Sequence, residues 1–179
     1  LVDPEGTVVW GCYPRFDGDP VFCALLDDRP PADARGLFAI ELADGAHAEQ
    51  SYVRNTAVLS TRLVDRDGGA IEIVDCVPRH HEHGRIHTPH TLVRHVRRVA
   101  GRPRIVVRLR PASDWGGKRP DTTTGSHHVR YVAPGLTLRL TTDAPLAAIA
   151  DERAFFVEDS CTLVFGAGTI QWSWALDPE

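Results

Sequence analysis

The sequence predicts an all-β protein, an antiparallel β-sandwich with little helix, and three observations carry that expectation. Period-two alternation of apolar and polar residues dominates the readable segments. Turn-forming Gly, Pro and Asp clusters punctuate them at short intervals. No long apolar stripe at i, i+3, i+4, i+7 runs along the 179 residues. About ten to twelve strands result, and so many antiparallel strands bury their apolar faces only by stacking or closing.

Taken in order, residues 7–13 read as the first strand, and residues 21–26 as the best helical candidate, two turns at most. Strands follow at 37–42, 57–64 and 70–77, with Asp67-Gly68-Gly69 marking a hairpin between the last two. Residues 91–99 and 104–110 come next, and Ala100-Gly101-Arg102-Pro103 between them reads as a second hairpin. Residues 136–141 give the clearest alternation, with Leu136, Leu138 and Leu140 on one side and Thr137, Arg139 and Thr141 on the other, after a third hairpin turn at Pro134-Gly135. Residues 162–165 and 169–174 close the series, and Trp172 and Trp174 share one face, as core or interface rings do. Each strand is expected to pair with its sequence neighbour. The strand at 91–99 is unusual, because Arg94, Val96 and Arg98 oppose Val93, His95 and Arg97, so neither face is purely apolar. It is expected at an outer sheet surface or an interface. Residues 79–90, with five histidines in twelve positions, and residues 111–126 break the pattern and read as long loops. Without a repeat or a low-complexity linker, residues 1–179 form a single domain.

Composition removes several functions. The 20 Lys+Arg against 24 Asp+Glu give a net charge of -4 and a pI of about 6.1, which leaves no basic excess for nucleic acid or anionic lipid. No apolar run reaches membrane-spanning length, so neither nucleic acid nor membrane is an expected partner. Cys12, Cys23, Cys76 and Cys161 are scattered without a C-x-x-C pair, which fits reduced, buried thiols and a cytoplasmic location. A start at Leu1 with no methionine in the chain reads as a piece of a longer polypeptide.

Candidate chemistry is thin. His81, His83 and His87 could approach a transition metal, but they follow Pro78 without helical spacing, and a solvated polar loop is the plainer reading. No cofactor is expected. Nucleophile-elbow, phosphate-loop and dinucleotide motifs are missing. Asp75 stands late in the apolar run Ile71-Glu72-Ile73-Val74-Asp75-Cys76-Val77, where an unpaired carboxylate would be costly, so it is expected to meet an arginine or backbone donors.

One ordered series of motifs adds a family. Gly6-Thr7-Val8-Val9-Trp10, then Cys12-Tyr13-Pro14-Arg15-Phe16-Asp17 and Val21-Phe22-Cys23-Ala24-Leu25-Leu26-Asp27, resemble the start of bacterial glycoside hydrolase family 15 proteins, the glucoamylase and trehalase group. Gly36-Leu37-Phe38, Tyr52-Val53-Arg54-Asn55-Thr56, Glu72-Ile73-Val74-Asp75-Cys76-Val77-Pro78, Leu92-Val93-Arg94 and Arg110-Pro111-Ala112-Ser113-Asp114-Trp115-Gly116 continue it in order. Gly18-Asp19-Pro20 departs from the family's frequent Ser-Pro-Ser, and Cys76 stands where an aromatic is common. The resemblance implies a galactose-mutarotase-like β-supersandwich preceding an (α/α)6 barrel that carries the catalytic glutamates. No catalytic residue is then expected in this chain. An α-glucoside is handled through the parent, and the barrel of the same polypeptide is the expected partner. Pro14, Arg15, Phe16, Asp17 and Trp115 are the candidates for docking that barrel or lining the mouth of its active site. The alternative is an autonomous carbohydrate-binding or mutarotase-like domain, for which His95 is the available histidine.

Overall fold

A computed structural model of the chain describes residues 1–29, 33–45, 47–82 and 84–167. Fifteen strands, one turn of 3-10 helix and one short helix follow in order: β1 (Gly11–Cys12), β2 (Pro20–Phe22), the 3-10 turn (Ala24–Leu26), β3 (Leu37–Leu42), β4 (His47–Tyr52), β5 (Leu59–Val64), β6 (Ala70–Cys76), β7 (His80–Glu82), β8 (Arg85–His87), β9 (Thr91–Ala100), β10 (Arg104–Arg110), β11 (Asp121–Thr124), β12 (His128–Ala133), β13 (Leu136–Thr142), α1 (Leu146–Ala150), β14 (Phe155–Phe156) and β15 (Ser160–Ala167). The all-β expectation holds. The expected helix at 21–26 does not, since Val21 lies in β2 and only the 3-10 turn follows it.

An eight-stranded antiparallel sheet, in the order β11-β12-β13-β15-β9-β6-β5-β4, and a three-stranded sheet, β14-β10-β3, supply the two layers. Their apolar faces form one core, with Phe38, Ile40, Ile105 and Val107 from the small sheet and Leu63, Ile71, Ile73, Val96, Leu140, Leu163 and Phe165 from the large one. Phe165 is the hinge of the packing, with ring centroids 5.3 Å from Phe22, 5.8 Å from Tyr13 and 6.1 Å from both Phe38 and Tyr131. Such tilted and edge-on contacts are the favoured aromatic geometries.

Two of the expected hairpins form. The Asp65 carboxylate accepts the N–H groups of Asp67 and Gly69 to shape the β5–β6 turn, and Gly135, with φ of 75°, closes β12 onto β13. The third does not. Residues 100–103 carry the chain from β9 in the large sheet to β10 in the small one, because β9 already fills its place between β6 and β15. That crossing lets two sheets close over one core, so neighbours in sequence are not always neighbours in the sheet.

The two expected loops also hold strands, β7 and β8 in one and β11 in the other. Strands β4 and β12 were not anticipated, nor was α1, which buries Ala148 and Ile149. The strand expected at 169–174, with Trp172 and Trp174, lies outside the described residues.

The largest correction concerns Arg94. It is 0% exposed, turned into the sandwich rather than outward. Its Nε and Nη2 donate to Asp75 Oδ1 and Oδ2 at 2.8 and 3.0 Å, Nη1 donates to the Phe38 carbonyl at 2.6 Å, and Nη2 also reaches the Gly6 carbonyl. The guanidinium lies over the Phe38 ring, 4.8 Å from its centroid. One side chain thus ties the large sheet, the small sheet and the N-terminal segment together, and Asp75 has the arginine partner its position demands. All four cysteines are free, with Cys23 and Cys161 buried; burial pushes the Cys161 thiol up to about 12. Among the described residues, no helix is long and apolar enough to cross a membrane.

Candidate functional site

The loop between β1 and β2 leaves the core at Tyr13. That ring packs edge-on against Phe22 and Phe165, and burial raises its phenol to about 12. After a cis Tyr13–Pro14 bond the chain emerges, and the Gly18 N–H returns to the Arg15 carbonyl at 3.2 Å to close a tight turn. Phe16, at the tip, is 91% exposed. Arg15 grips Asp17 with a fork of two bonds, Nε to Oδ1 at 2.9 Å and Nη2 to Oδ2 at 2.8 Å. That bond holds the Asp17 carboxyl below its usual range and raises Arg15.

Asp19 connects this loop to a second one. Its carboxylate accepts the backbone N–H groups of Asp114 and Trp115, the latter at 2.9 Å. Asp114, Trp115 and Gly116 have successive φ values of 55°, 52° and 87°, a left-handed run that turns adjacent N–H groups toward one side and forms an anion-binding nest. The nest holds Asp19, and the turn presents Trp115 at 68% exposure, its ring 6.4 Å from that of Trp10. Beneath it, Asp27 accepts from Arg29 Nε at 2.6 Å and from the backbone N–H groups of Arg29 and Arg35 at 3.1 and 3.0 Å. The Arg29 bond leads the causes that lower Asp27 from 3.8 to about 2. Arg35 Nη1 then donates to the Gly117 carbonyl at 3.1 Å and Arg29 Nη2 to that of Gly116 at 3.4 Å. A ladder of charges therefore fixes the Trp115 loop from below.

Pro14, Arg15 and Phe16 border a basin shared with Leu1, Trp10 and His90. This basin opens onto a groove of about 520 Å³ walled by Trp10, Tyr13, Tyr52, Leu59, Cys76 and Val77. Trp10 touches both, so the structure brings the proposed loop and Trp115 to one surface through a residue that sequence reasoning had not singled out. Leu1, Tyr52 and Val77, all more than half exposed, extend the apolar character of the surface.

The remaining candidates fall elsewhere. His87 sits in β8, paired in register with His80; His83 and the side chain of His81 lie outside the described residues. Among the described residues no three metal-ligating side chains gather. The His95 Nδ1 sits 3.0 Å from the Thr162 hydroxyl, while Glu72, on the neighbouring strand, is engaged by Arg97 and Ser60.

Residues 1–158 match the family described as trehalase-like, N-terminal. Over 153 residues, 84% of this chain, the sequence is 26% identical to the trehalase of Thermoplasma volcanium and 27% identical to that of Thermoplasma acidophilum. The matches cover 24% and 25% of those proteins, so the chain spans about a quarter of the length of these curated relatives. Trehalase 1 of Sulfolobus acidocaldarius is 43% identical over 79 residues, 44% of this chain and 13% of that protein. These relatives are archaeal, not bacterial. No solved structure matches the chain. From the N-terminal segment held by Arg94 to β14, the matched region takes in the small sheet, every strand of the large sheet but β15, and the surface around Trp10, and the chain belongs to the trehalase-like N-terminal family.

Proposed function

We propose that the chain is the non-catalytic N-terminal domain of a longer glycoside hydrolase of family 15, of trehalase or glucoamylase type. The surface of Pro14, Arg15, Phe16, Asp17 and Trp115 docks the C-terminal (α/α)6 barrel of the same polypeptide, beside the mouth through which trehalose or another α-glucoside enters. The observation that carries this reading is a pair of exposed rings, Phe16 at 91% and Trp115 at 68%, on a frame of ion pairs and backbone bonds that belongs to the domain itself. Phe16 stands almost wholly in water and Trp115 is covered only in part, beside Trp10, so both rings gain apolar contact when a partner covers them.

The carboxylates support the non-catalytic part. Glycoside hydrolysis needs an acid and a base or nucleophile set across a cleft. Here Asp17 is held by Arg15, Asp19 by two backbone N–H groups and Asp27 by Arg29 and the Arg35 N–H. Each is committed to shaping the surface. Free cysteines accord with a cytoplasmic location.

The test uses the longer polypeptide and the 179-residue chain side by side. Phe16→Ala and Arg15→Ala are expected to lower trehalose hydrolysis by the longer polypeptide or to loosen its two parts in limited proteolysis. The chain alone is expected to release no glucose from trehalose or maltose. Full activity and protease resistance in both variants would reject the docking role. Glucose release by the chain that survives removal of contaminants would reject the non-catalytic one.

A further inference from the structure

The three-stranded sheet is too narrow to cover the eight-stranded one as far as its β11 edge. On that side β10 ends at Arg110, β11 and β12 form the wall opposite, and α1 closes the gap only in part. A cavity of about 250 Å³ remains between them, and it shares no lining residue with the groove or the basin of the docking surface. Its floor is apolar and buried, formed by Leu109, Val129, Tyr131 and Ile149. An apolar cavity of about 150 Å³ takes up benzene, and drug-sized ligands fill roughly 300–1,000 Å³. The space here therefore suits one ring with a small substituent.

The rim is basic. Arg35, half-buried, and Arg119, exposed, both line the cavity, and among the described residues neither guanidinium meets a carboxylate. Arg35 is held in place without being neutralised. Its Nη1 donates to the Gly117 carbonyl at 3.1 Å, its backbone N–H donates to Asp27 at 3.0 Å, and its buried Nε has no partner. A guanidinium with one carbonyl for a partner has donors to spare. Glu152 is the acid of the cavity wall, and a free carboxylate there would repel an anion. It is not free, since Arg110 donates to both its oxygens at 2.6 Å and Arg108 stands 3.4 Å away. Three arginines thus line the cavity against one neutralised glutamate, which leaves a positive rim above an apolar floor.

We propose that this cavity binds a small organic acid, a single carboxylate on an apolar body the size of one ring. The body lies against Leu109, Val129, Tyr131 and Ile149, and the carboxylate accepts from Arg119 and from the outer end of Arg35. Charge-assisted bonds give the acid its orientation, and burial of the ring adds to its affinity. Both features are needed for selection: an inorganic anion lacks the body, and a neutral ring lacks the charge. This site is independent of the docking role and stands or falls without it, because it is tested in the chain alone.

The experiment titrates the 179-residue chain with benzoate, benzamide and inorganic phosphate, each at constant ionic strength set by chloride. Melting midpoint and the amide resonances of Val129 and Ile149 are followed together. Benzoate is expected to shift both resonances and raise the midpoint saturably, since a ligand that binds only the folded state stabilises it according to occupancy. Benzamide keeps the shape and loses the charge, so it is expected to bind about tenfold more weakly, and phosphate is expected to leave the two resonances unmoved. Arg119→Gln is expected to weaken benzoate by about tenfold as well. Thr122→Phe, which puts a ring into the cavity from the edge strand β11, is expected to abolish binding. Arg130→Gln, next to Val129 on β12 but on the opposite face of the sheet, is expected to bind as the parent does. Benzoate that gives no saturable shift, benzamide or phosphate that binds as tightly, or parent-like binding in both Arg119→Gln and Thr122→Phe would overturn the proposal.

Discussion

The chain makes the same two-bonded arginine–aspartate clasp in two places, and the two have opposite consequences. Arg94 and Asp75 are 0% and 4% exposed at the side chain, whereas Arg15 and Asp17 are 75% and 49% exposed. Inside the sandwich, the guanidinium cannot lose its partner without stranding a charge among Phe38, the Gly6 carbonyl and the two sheets. At the tip of the β1–β2 loop, water and salt replace either partner with little penalty. Identical chemistry is therefore a structural bolt in one setting and a shaped, replaceable surface in the other. Burial decides which.

The largest effect expected of any single change follows from the buried clasp. Arg94→Ala or Asp75→Ala should destabilise the chain by about 3–5 kcal/mol, read as a fall in the denaturation midpoint. Arg94→Lys should rescue little, because one ammonium cannot replace a fork that serves a carboxylate and two carbonyls at once. A midpoint within error of the parent for Arg94→Ala would break the distinction between the two clasps.

The sequence foretold half of this pair. Asp75 lay in an apolar strand, and the cost of an orphaned carboxylate there required a partner; which arginine it was could not be read, because β6 and β9 meet across a register set by the whole sheet. Arg94 itself misled, since a strand with charge on both faces reads as an outer strand until a carboxylate is known to sit opposite. The same physics sorted the strands. Central strands such as β13 needed an apolar face and announced it, whereas the edge strands β4 and β11, His47–Tyr52 and Asp121–Thr124, are largely exposed and carry no alternation to find. At the candidate surface, Phe16 and Trp115 were legible as aromatics among polar loop residues. Asp19 was not, because its role is to accept from a left-handed turn 95 residues away.

Asp19 lies between the extremes, an exposed acid that nonetheless shapes backbone. Asp19→Ala leaves the N–H groups of Asp114 and Trp115 without their acceptor, and by analogy with loss of a helix cap it should cost about 1 kcal/mol. Its sharper signature is optical, since release of the Trp115 turn should separate that ring from Trp10 and change the tryptophan near-ultraviolet circular dichroism. An unchanged spectrum would show that the left-handed run persists without its anion.

Asp27 sharpens the comparison through pH. Its folded-state pKa is lowered from 3.8 to about 2, so the unfolded chain takes up its proton first as pH falls. The stability it contributes is fully present above the unfolded value and is lost between about pH 4 and pH 2. Asp27→Asn should therefore flatten the fall in denaturation midpoint across that window. Some slope should remain, because Glu72 is also held low by Arg97 and Ser60. A variant with the parent's slope would remove Asp27 from the frame beneath Trp115.

The smallest expected effect is the most telling, because it concerns what the exposed clasp is not doing. Arg15→Ala, Asp17→Ala and Phe16→Ala should leave the melting midpoint of the chain where it is. The clasp is screened by water, and the Phe16 ring, 91% exposed, has almost no core contact to forfeit. Had Phe16 packed inward, truncation would have cost several kcal/mol, as deletion of buried rings does. The informative reading pairs two measurements on the same substitutions. An unchanged chain with an impaired longer polypeptide places the value of these residues in a contact outside the domain, and a destabilised chain returns them to local structure. Phe16→Leu separates the components further, since it keeps apolar bulk while removing the ring. If the partner recognises only hydrophobic area, Phe16→Leu should retain most of the activity that Phe16→Ala loses; if it stacks on the aromatic face, both should fail alike while the chain melts as before.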